Sequence, residues 1–236
     1  LVGSEMCIRD SMHTGQALVA SATSKGPNPN PPILNQGPHA MHVGSPKSSI
    51  ISLPHTTALM HALRNRGVPI EEQVDVTRIE ESNDFIRVES NTGTWTGRTV
   101  TVAAGRGSQA LLDTAGISIA TYGVKGECLA VRLAGQPLRS ILFDDAVYLV
   151  PKADGRILIG ATELPHDETI GVSVAGVTSL LQAAERLYPS IRDAVIEEVW
   201  SGVRPQTESG LPYIGVADSS RRIFIGTGHH LSLIHI

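Results

Sequence analysis

Two stretches of this 236-residue chain carry side chains suited to gripping an anion. One reads Trp200-Ser-Gly202-Val-Arg204-Pro205, the other Tyr148-Leu-Val-Pro151-Lys152. An arginine in a Gly-x-Arg-Pro turn presents a planar fork that suits a bidentate grip on a carboxylate. A buried Tyr148 hydroxyl adds a third hydrogen bond to the same group. A surface arginine and a core tyrosine are the plainer alternative for the same two residues. A third stretch, Gly105-Arg106-Gly107-Ser-Gln-Ala110, fits the G-x-G-x-x-A pattern, with Glu127 further on. A dinucleotide fingerprint needs such glycines to approach a pyrophosphate and such an acid for a ribose hydroxyl. A tight strand-to-helix turn that needs glycine for a positive φ explains the same residues. Cys128 reads as a core residue in a strand, with no histidine beside it in sequence to make it a nucleophile. His39 and His42 stand three apart without further ligands nearby, so no metal site is expected. His55 and His61 fall on a predicted helix and read as surface or packing residues, and Trp200 as a packing residue under the Arg204 turn.

The elements that must position these residues follow from periodicity. Leu53 to Arg66 reads as a helix stopped by Gly67. Val68 to Ile79 holds one or two strands; Phe85 to Val88 and Thr99 to Val102 add others around an Asn91–Gly93 turn. Ser108 to Ala115 is a short helix. Short strands are expected at Lys125 to Leu133, Ser140 to Phe143, Val147 to Pro151 and Arg156 to Ala161, the last two joined as a hairpin through Ala153-Asp154-Gly155. Val174 to Tyr188 carries a helical apolar stripe of Val174, Val177, Leu181, Ala184, Leu187 and Tyr188, ended by Pro189. Ile196 to Val203 and Ile223 to Gly226 are strand-like, while residues 21–48, rich in Pro, Gly, Ser and Asn, read as loop or connector. The pattern is α/β plus α+β, with two interleaved lobes.

Composition narrows the function classes. Hydrophobic residues make up 41% and the net charge is only -4, which excludes disorder for most of the chain. That slightly acidic balance argues against a nucleic-acid partner. Two cysteines are too few for a disulfide framework or a four-cysteine zinc site, and they favour a reducing cytoplasm. No apolar run reaches the roughly 18 residues of a membrane span. Leu1 to Ser11 and Leu231 to Ile236 read like translated sequencing adapter, so Cys7 and His235 are expected to carry no function.

Five motifs in a fixed order resemble a known family. They are Val-Lys125-Gly126-Glu127; Tyr148-Leu-Val-Pro-Lys with Asp-Gly-Arg-Ile-Leu-Ile-Gly160-Ala-Thr; Trp200-Ser-Gly-Val-Arg204-Pro; Ser-Gly210-Leu-Pro-Tyr-Ile-Gly215; and Phe-Ile-Gly226-Thr-Gly228-His229. Over roughly Ile50 to His229 the chain resembles the FAD-dependent D-amino acid oxidase superfamily, and most of all its bacterial glycine oxidase branch. The resemblance implies a partial FAD-binding Rossmann-like lobe (50–122 and 201–230) interleaved with an antiparallel-sheet substrate lobe (123–200), leaving 12–49 unassigned. It places Arg204 on the arginine that pairs with the substrate carboxylate and Tyr148 on the tyrosine that assists it. It places Val76 on the strand near the adenine side of FAD, Ala104 and Gly105 against the cofactor, and Gly228 and His229 beside its isoalloxazine ring.

The resemblance implies oxidation of the amine of glycine or a small D-amino acid to an imine, hydrolysed to an oxo acid and ammonia. Oxygen or another acceptor then takes the electrons; a homo-oligomer is compatible, and no catalytic side-chain base is required. Departures are visible. The family's N-terminal G-x-G-x-x-G is absent, and its Arg-Asn-Gly after Gly-His is replaced by Leu231-Ser-Leu-Ile-His-Ile. Arg106 and Gly107 stand where small and aromatic residues are usual, and Glu163 introduces a polar residue near the expected site. The alternatives are the oxidase domain of a tRNA wobble-uridine modifying enzyme, or an inactive fragment without a complete FAD site.

Overall fold

The computed structural model describes residues 17–22, 37–42, 53–135 and 138–230, with side chains from residue 58 onward. The adapter-like ends, most of 12–49 and the side chains of His39, His42 and His55 lie outside the described residues. The chain folds as two compact units, one holding residues up to Tyr122 and from Arg204 onward, the other Gly123–Val203.

The first unit contains a mixed six-stranded sheet in the order β14-β15-β7-β1-β2-β3. Its strands are β1 (Ala17–Ala22), β2 (Gly37–His42), β3 (Ile70–Glu72), β7 (Val100–Ala103), β14 (Tyr213–Val216) and β15 (Ile223–Thr227). Strands β1 and β2 replace part of the connector expected at 21–48. They form an antiparallel pair, and β1 also pairs with β7. Pro38 is accommodated near the start of β2, where a missing N–H is tolerated. Helix α1 (Leu53–Asn65) ends where expected: Gly67 adopts φ +71°, and Val68 N donates to Leu63 O at 3.0 Å. A three-stranded antiparallel sheet, β4 (Val76–Glu81), β5 (Ile86–Ser90) and β6 (Thr94–Gly97), supplies apolar residues to the same core. That core gathers Val76, Ile79, Val102, Leu112 and Ile223, each at most 2% exposed. Helix α2 (Ser108–Thr114) covers it with Leu111 and Leu112. Thr114 Oγ1 accepts from Ile79 N at 2.9 Å, fixing the helix to β4.

The second unit is an antiparallel sheet in the order β12-β8-β11-β10-β9, with β13 also pairing with β8. These strands are β8 (Thr121–Arg132), β9 (Leu142–Phe143), β10 (Tyr148–Pro151), β11 (Arg156–Gly160), β12 (Leu164–Pro165) and β13 (Val195–Thr207), of which Thr121, Tyr122 and the segment from Arg204 to Thr207 count with the first unit. The hairpin between β10 and β11 forms as expected, with Gly155 at φ +85° and Asp154 accepting from Arg156 N at 3.1 Å. Helix α3 (Val174–Leu187) is capped by Ser173, whose hydroxyl accepts from Gly176 N at 2.9 Å. Its buried face is Gly176, Leu180, Ala183 and Ala184. The expected stripe began at Val174, but Val174 is 85% exposed. The first turn is given to capping, so the apolar face starts one turn later.

Candidate functional site

In the first unit, β7 and β15 lie side by side and parallel, pairing Thr101 with Phe224 and Val102 with Ile225. Their carboxyl ends therefore open at the same edge, the place where open α/β sheets take ligands. Four of the residues singled out in the sequence fall on this edge. Ala104 is 1% exposed, and its N–H donates to the Ser108 hydroxyl at 3.0 Å. Gly105 follows at φ +54°, with open space where a side chain would begin. Thr227 closes β15 and donates its hydroxyl to Gly105 O at 2.9 Å, tying the two strand ends together. Gly228 comes next at φ +78°, where a Cβ would lie 2.5 Å from Thr207 Cγ2. Glycine is therefore required there by both conformation and space.

His229 forms a bridge with Gln206 of β13, and His230 N donates to Pro205 O at 3.1 Å. The backbone leaving β15 is thus stitched to the strand that carries Arg204. Arg204 is 1% exposed and belongs to β13, so the expected Gly-x-Arg-Pro turn is a strand, and a surface arginine is excluded. A guanidinium is always charged, and burial removes the water that would screen it, which strengthens its attraction for a carboxylate. Burial also holds the His229 imidazole below its ordinary pKa, so near neutral pH it adds no charge to this edge. Val76 opens β4 with its side chain in the same hydrophobic cluster as Ala104.

Tyr148 belongs to the second unit, where it pairs with Gly160 across β10 and β11. Its hydroxyl lies 3.7 Å from Cys128 Sγ. Cys128 is buried in β8, as expected of a core residue. Trp200 is buried in β13, His61 is exposed on α1 and Glu163 is exposed.

Glu127 departs from the fingerprint reading. It is fully buried in the second unit, accepts from Ser173 N at 2.7 Å and from Ser173 Oγ at 3.1 Å, and lies 3.3 Å from Lys125 Nζ. A carboxylate so engaged serves a helix N-terminus and a buried lysine, not a ribose. Gly105–Gly107 is a single 3-10 turn leading into α2, the tight-turn alternative. Lys125 is also held by Thr169 Oγ1 at 2.9 Å and by Asp167 at 3.8 Å. The Thr169 hydroxyl and N–H donate to Asp167, holding its carboxyl below the usual range.

Thr227, Thr207 and Ser108 shape the first-unit edge, yet none stood out in the sequence. A threonine in a strand looks like an ordinary strand former, and only the register reveals which hydroxyl meets a neighbouring turn. Gly105 and Gly226 leave open space and Gly228 keeps the chain low. Among the described residues no group of three His, Cys, Asp or Glu is placed to hold a metal.

Comparison with known proteins identifies the fold and its relatives. A family model described as FAD dependent oxidoreductase matches residues 38–233. Glycine oxidase of Geobacillus kaustophilus is 36% identical over 193 residues, covering 81% of this chain and 51% of that protein. Glycine oxidase of Bacillus licheniformis is 35% identical over 172 residues, covering 73% and 47%. The crystal structure of the Geobacillus enzyme superposes with a TM-score of 0.72 over 79% of this chain and 51% of that one. L-α-glycerophosphate oxidase of Mycoplasma pneumoniae with FAD bound, at 22% identity and TM-score 0.68 over 77% and 51%, shares the fold. The chain spans about half the length of the curated relatives it matches.

Proposed function

The chain belongs to the FAD-dependent oxidoreductase family, and from that premise we propose that it serves the oxidation of glycine or another small amino acid at its amine. The observation that carries the proposal is the convergence in the first unit. Thr227 ties Gly105 to the end of β15, and the Gln206–His229 bridge joins that same end to the strand of Arg204. A cofactor edge and a carboxylate-binding charge thereby share one short piece of backbone.

In this reading Ala104, Gly105, Gly228 and His229 hold FAD, with Val76 supporting them from the core. Bound FAD supplies the two-electron acceptor for oxidation of the α-carbon to nitrogen bond. Arg204 pairs with the substrate carboxylate and fixes which way the α-carbon faces. Tyr148, in the second unit, is assigned the carboxylate-assisting role that the sequence resemblance implies. His229, kept neutral by burial, adds no positive charge that would compete with the amine. A substrate amine that enters neutral needs no side-chain base. Water hydrolyses the imine to an oxo acid and ammonia, and oxygen or another acceptor regenerates the cofactor. Among the described residues no helix is long and apolar enough to cross a membrane. A cytoplasmic setting, with a small amino acid as partner and no nucleic acid, belongs to the same proposal.

The test is glycine-dependent formation of oxo acid and ammonia after loading with FAD, measured on this chain and on the longest reading frame that contains it. Turnover that responds to glycine or a D-amino acid and falls with Arg204→Ala supports the reading. Flavin binding without turnover of any amino acid, in the longest reading frame, refutes it.

A further inference from the structure

Strands β10, β11 and β8 run side by side, and their register lines up three residues in one row. Tyr148 pairs with Gly160, and Gly160 pairs with Cys128. Directly paired residues on neighbouring strands face the same side of a sheet. The middle position of the row has no side chain, and the Tyr148 ring occupies that space. Its hydroxyl reaches across to lie 3.7 Å from Cys128 Sγ. A Cβ built at Gly160 would lie 2.5 Å from Tyr148 Oη, 2.7 Å from Tyr148 Cζ and 2.7 Å from Cys128 Sγ.

Gly160 does not owe its glycine to a positive φ. It lies outside the left-handed region, whereas nine other glycines of the described chain lie within it. Glycine inside a strand weakens the strand and marks a close approach. The approaching group is a phenol, and a rigid ring cannot yield as the end of a flexible side chain can. An added methyl group would drive the ring into a different rotamer, because χ1 has only three staggered wells. The Tyr148 hydroxyl is thus confined by an empty position beneath its ring and by a small, soft side chain at its tip.

We infer that Gly160 and Cys128 are positioning residues that fix where the Tyr148 hydroxyl sits, and through it how a substrate carboxylate is held. The inference rests on the reading of Tyr148 as a substrate-binding residue. A hydrogen bond weakens steeply once its angle falls below about 120°, so its donor must be held in place to be of use.

The test has one readout without turnover and one with it. The chain is prepared with tyrosines carbon-13 labelled at Cζ, which gives four signals, and Tyr148→Phe assigns one of them. Gly160→Ala is expected to move the Tyr148 signal by more than its line width and to leave the other three in place. In the longest reading frame containing the chain, Gly160→Ala is expected to raise KM for glycine by up to about tenfold or more with kcat nearly unchanged, as is Tyr148→Phe. In the Tyr148→Phe background the hydroxyl is already gone, so Gly160→Ala then changes KM by less than about twofold. Cys128→Ala adds no atom and is the second variant should Gly160→Ala not fold; it too is expected to move the Tyr148 signal. An unmoved Tyr148 signal in both variants overturns the inference, and so do KM effects that simply multiply in the double variant. A moved signal with KM unchanged leaves the row standing and refutes the substrate role of Tyr148 instead.

Discussion

Glu127→Ala is expected to destabilise the second unit by about 3–5 kcal/mol, the cost of stranding a buried charge by removing its partner. Glu127 is fully buried and Lys125 is 4% exposed, so neither has water to fall back on. Their 3.3 Å separation corresponds to an attraction of about 5 kcal/mol at an effective dielectric near 20, which the desolvation of both groups offsets in the native protein. The substitution removes the attraction and leaves the desolvation of Lys125 in place. It also takes the acceptor from Ser173 N and Oγ at the start of α3. Asp167 lies 3.8 Å from Lys125 and replaces part of the lost charge, which favours the lower end of the range. Urea unfolding followed by far-ultraviolet circular dichroism measures the change. Pairing Lys125→Met with Glu127→Gln removes both charges and should recover at least half of the loss. A cost below about 1 kcal/mol for Glu127→Ala would show that Lys125 finds water or another anion without penalty, and that burial does not bind the pair together.

Three further outcomes are expected. Arg204→Ala should raise KM for glycine by at least about thirtyfold, because loss of a charge-assisted pair to a carboxylate costs about 2–5 kcal/mol; steady-state kinetics on the loaded enzyme check this. Gly228→Ala forces a side chain into φ +78° and against Thr207, so it should cost about 1–3 kcal/mol in thermal unfolding and weaken FAD in a fluorescence titration. Stability should fall with acid in two stages. Burial lowers the His229 pKa, so the folded state resists protonation, and stability declines as pH falls below about 6.5 toward the lowered value. For Asp218, burial pushes the pKa up, but hydrogen bonds from Ser220, Ile223 N and Arg222 N outweigh it; the pKa is lowered, and that stability is lost as pH falls below about 4. Melting curves of His229→Asn and Asp218→Asn should each flatten one stage and leave the other.

Much of this architecture was legible from residue patterns because the signals were local. Val174 to Tyr188 announced α3 through spacing and a terminal proline, and Ala153-Asp154-Gly155 announced its hairpin. Strands β1 and β2 were not legible, since Ala, Ser, Gly and Pro dominate them and their pairing with β7 and β3 is set at long range. The exposed Val174 shows a cap overriding an apolar stripe. Glu127 shows how a motif can mislead: the spacing suited a ribose, while the fold uses the carboxylate on Lys125 and Ser173. Arg204 and Tyr148 stood out by type and order, but neither the burial of Arg204 nor the row that fixes Tyr148 could be read without the register.

In the proposed function this chain helps hold FAD and aligns a small amino acid against it. The decisive experiment mixes the FAD-loaded longest reading frame with glycine in the absence of oxygen and follows the flavin absorbance. Rapid bleaching that saturates with glycine is expected, and Arg204→Ala should shift it to much higher concentrations. Flavin that stays oxidised with glycine and with every small D-amino acid tried would contradict the proposed function.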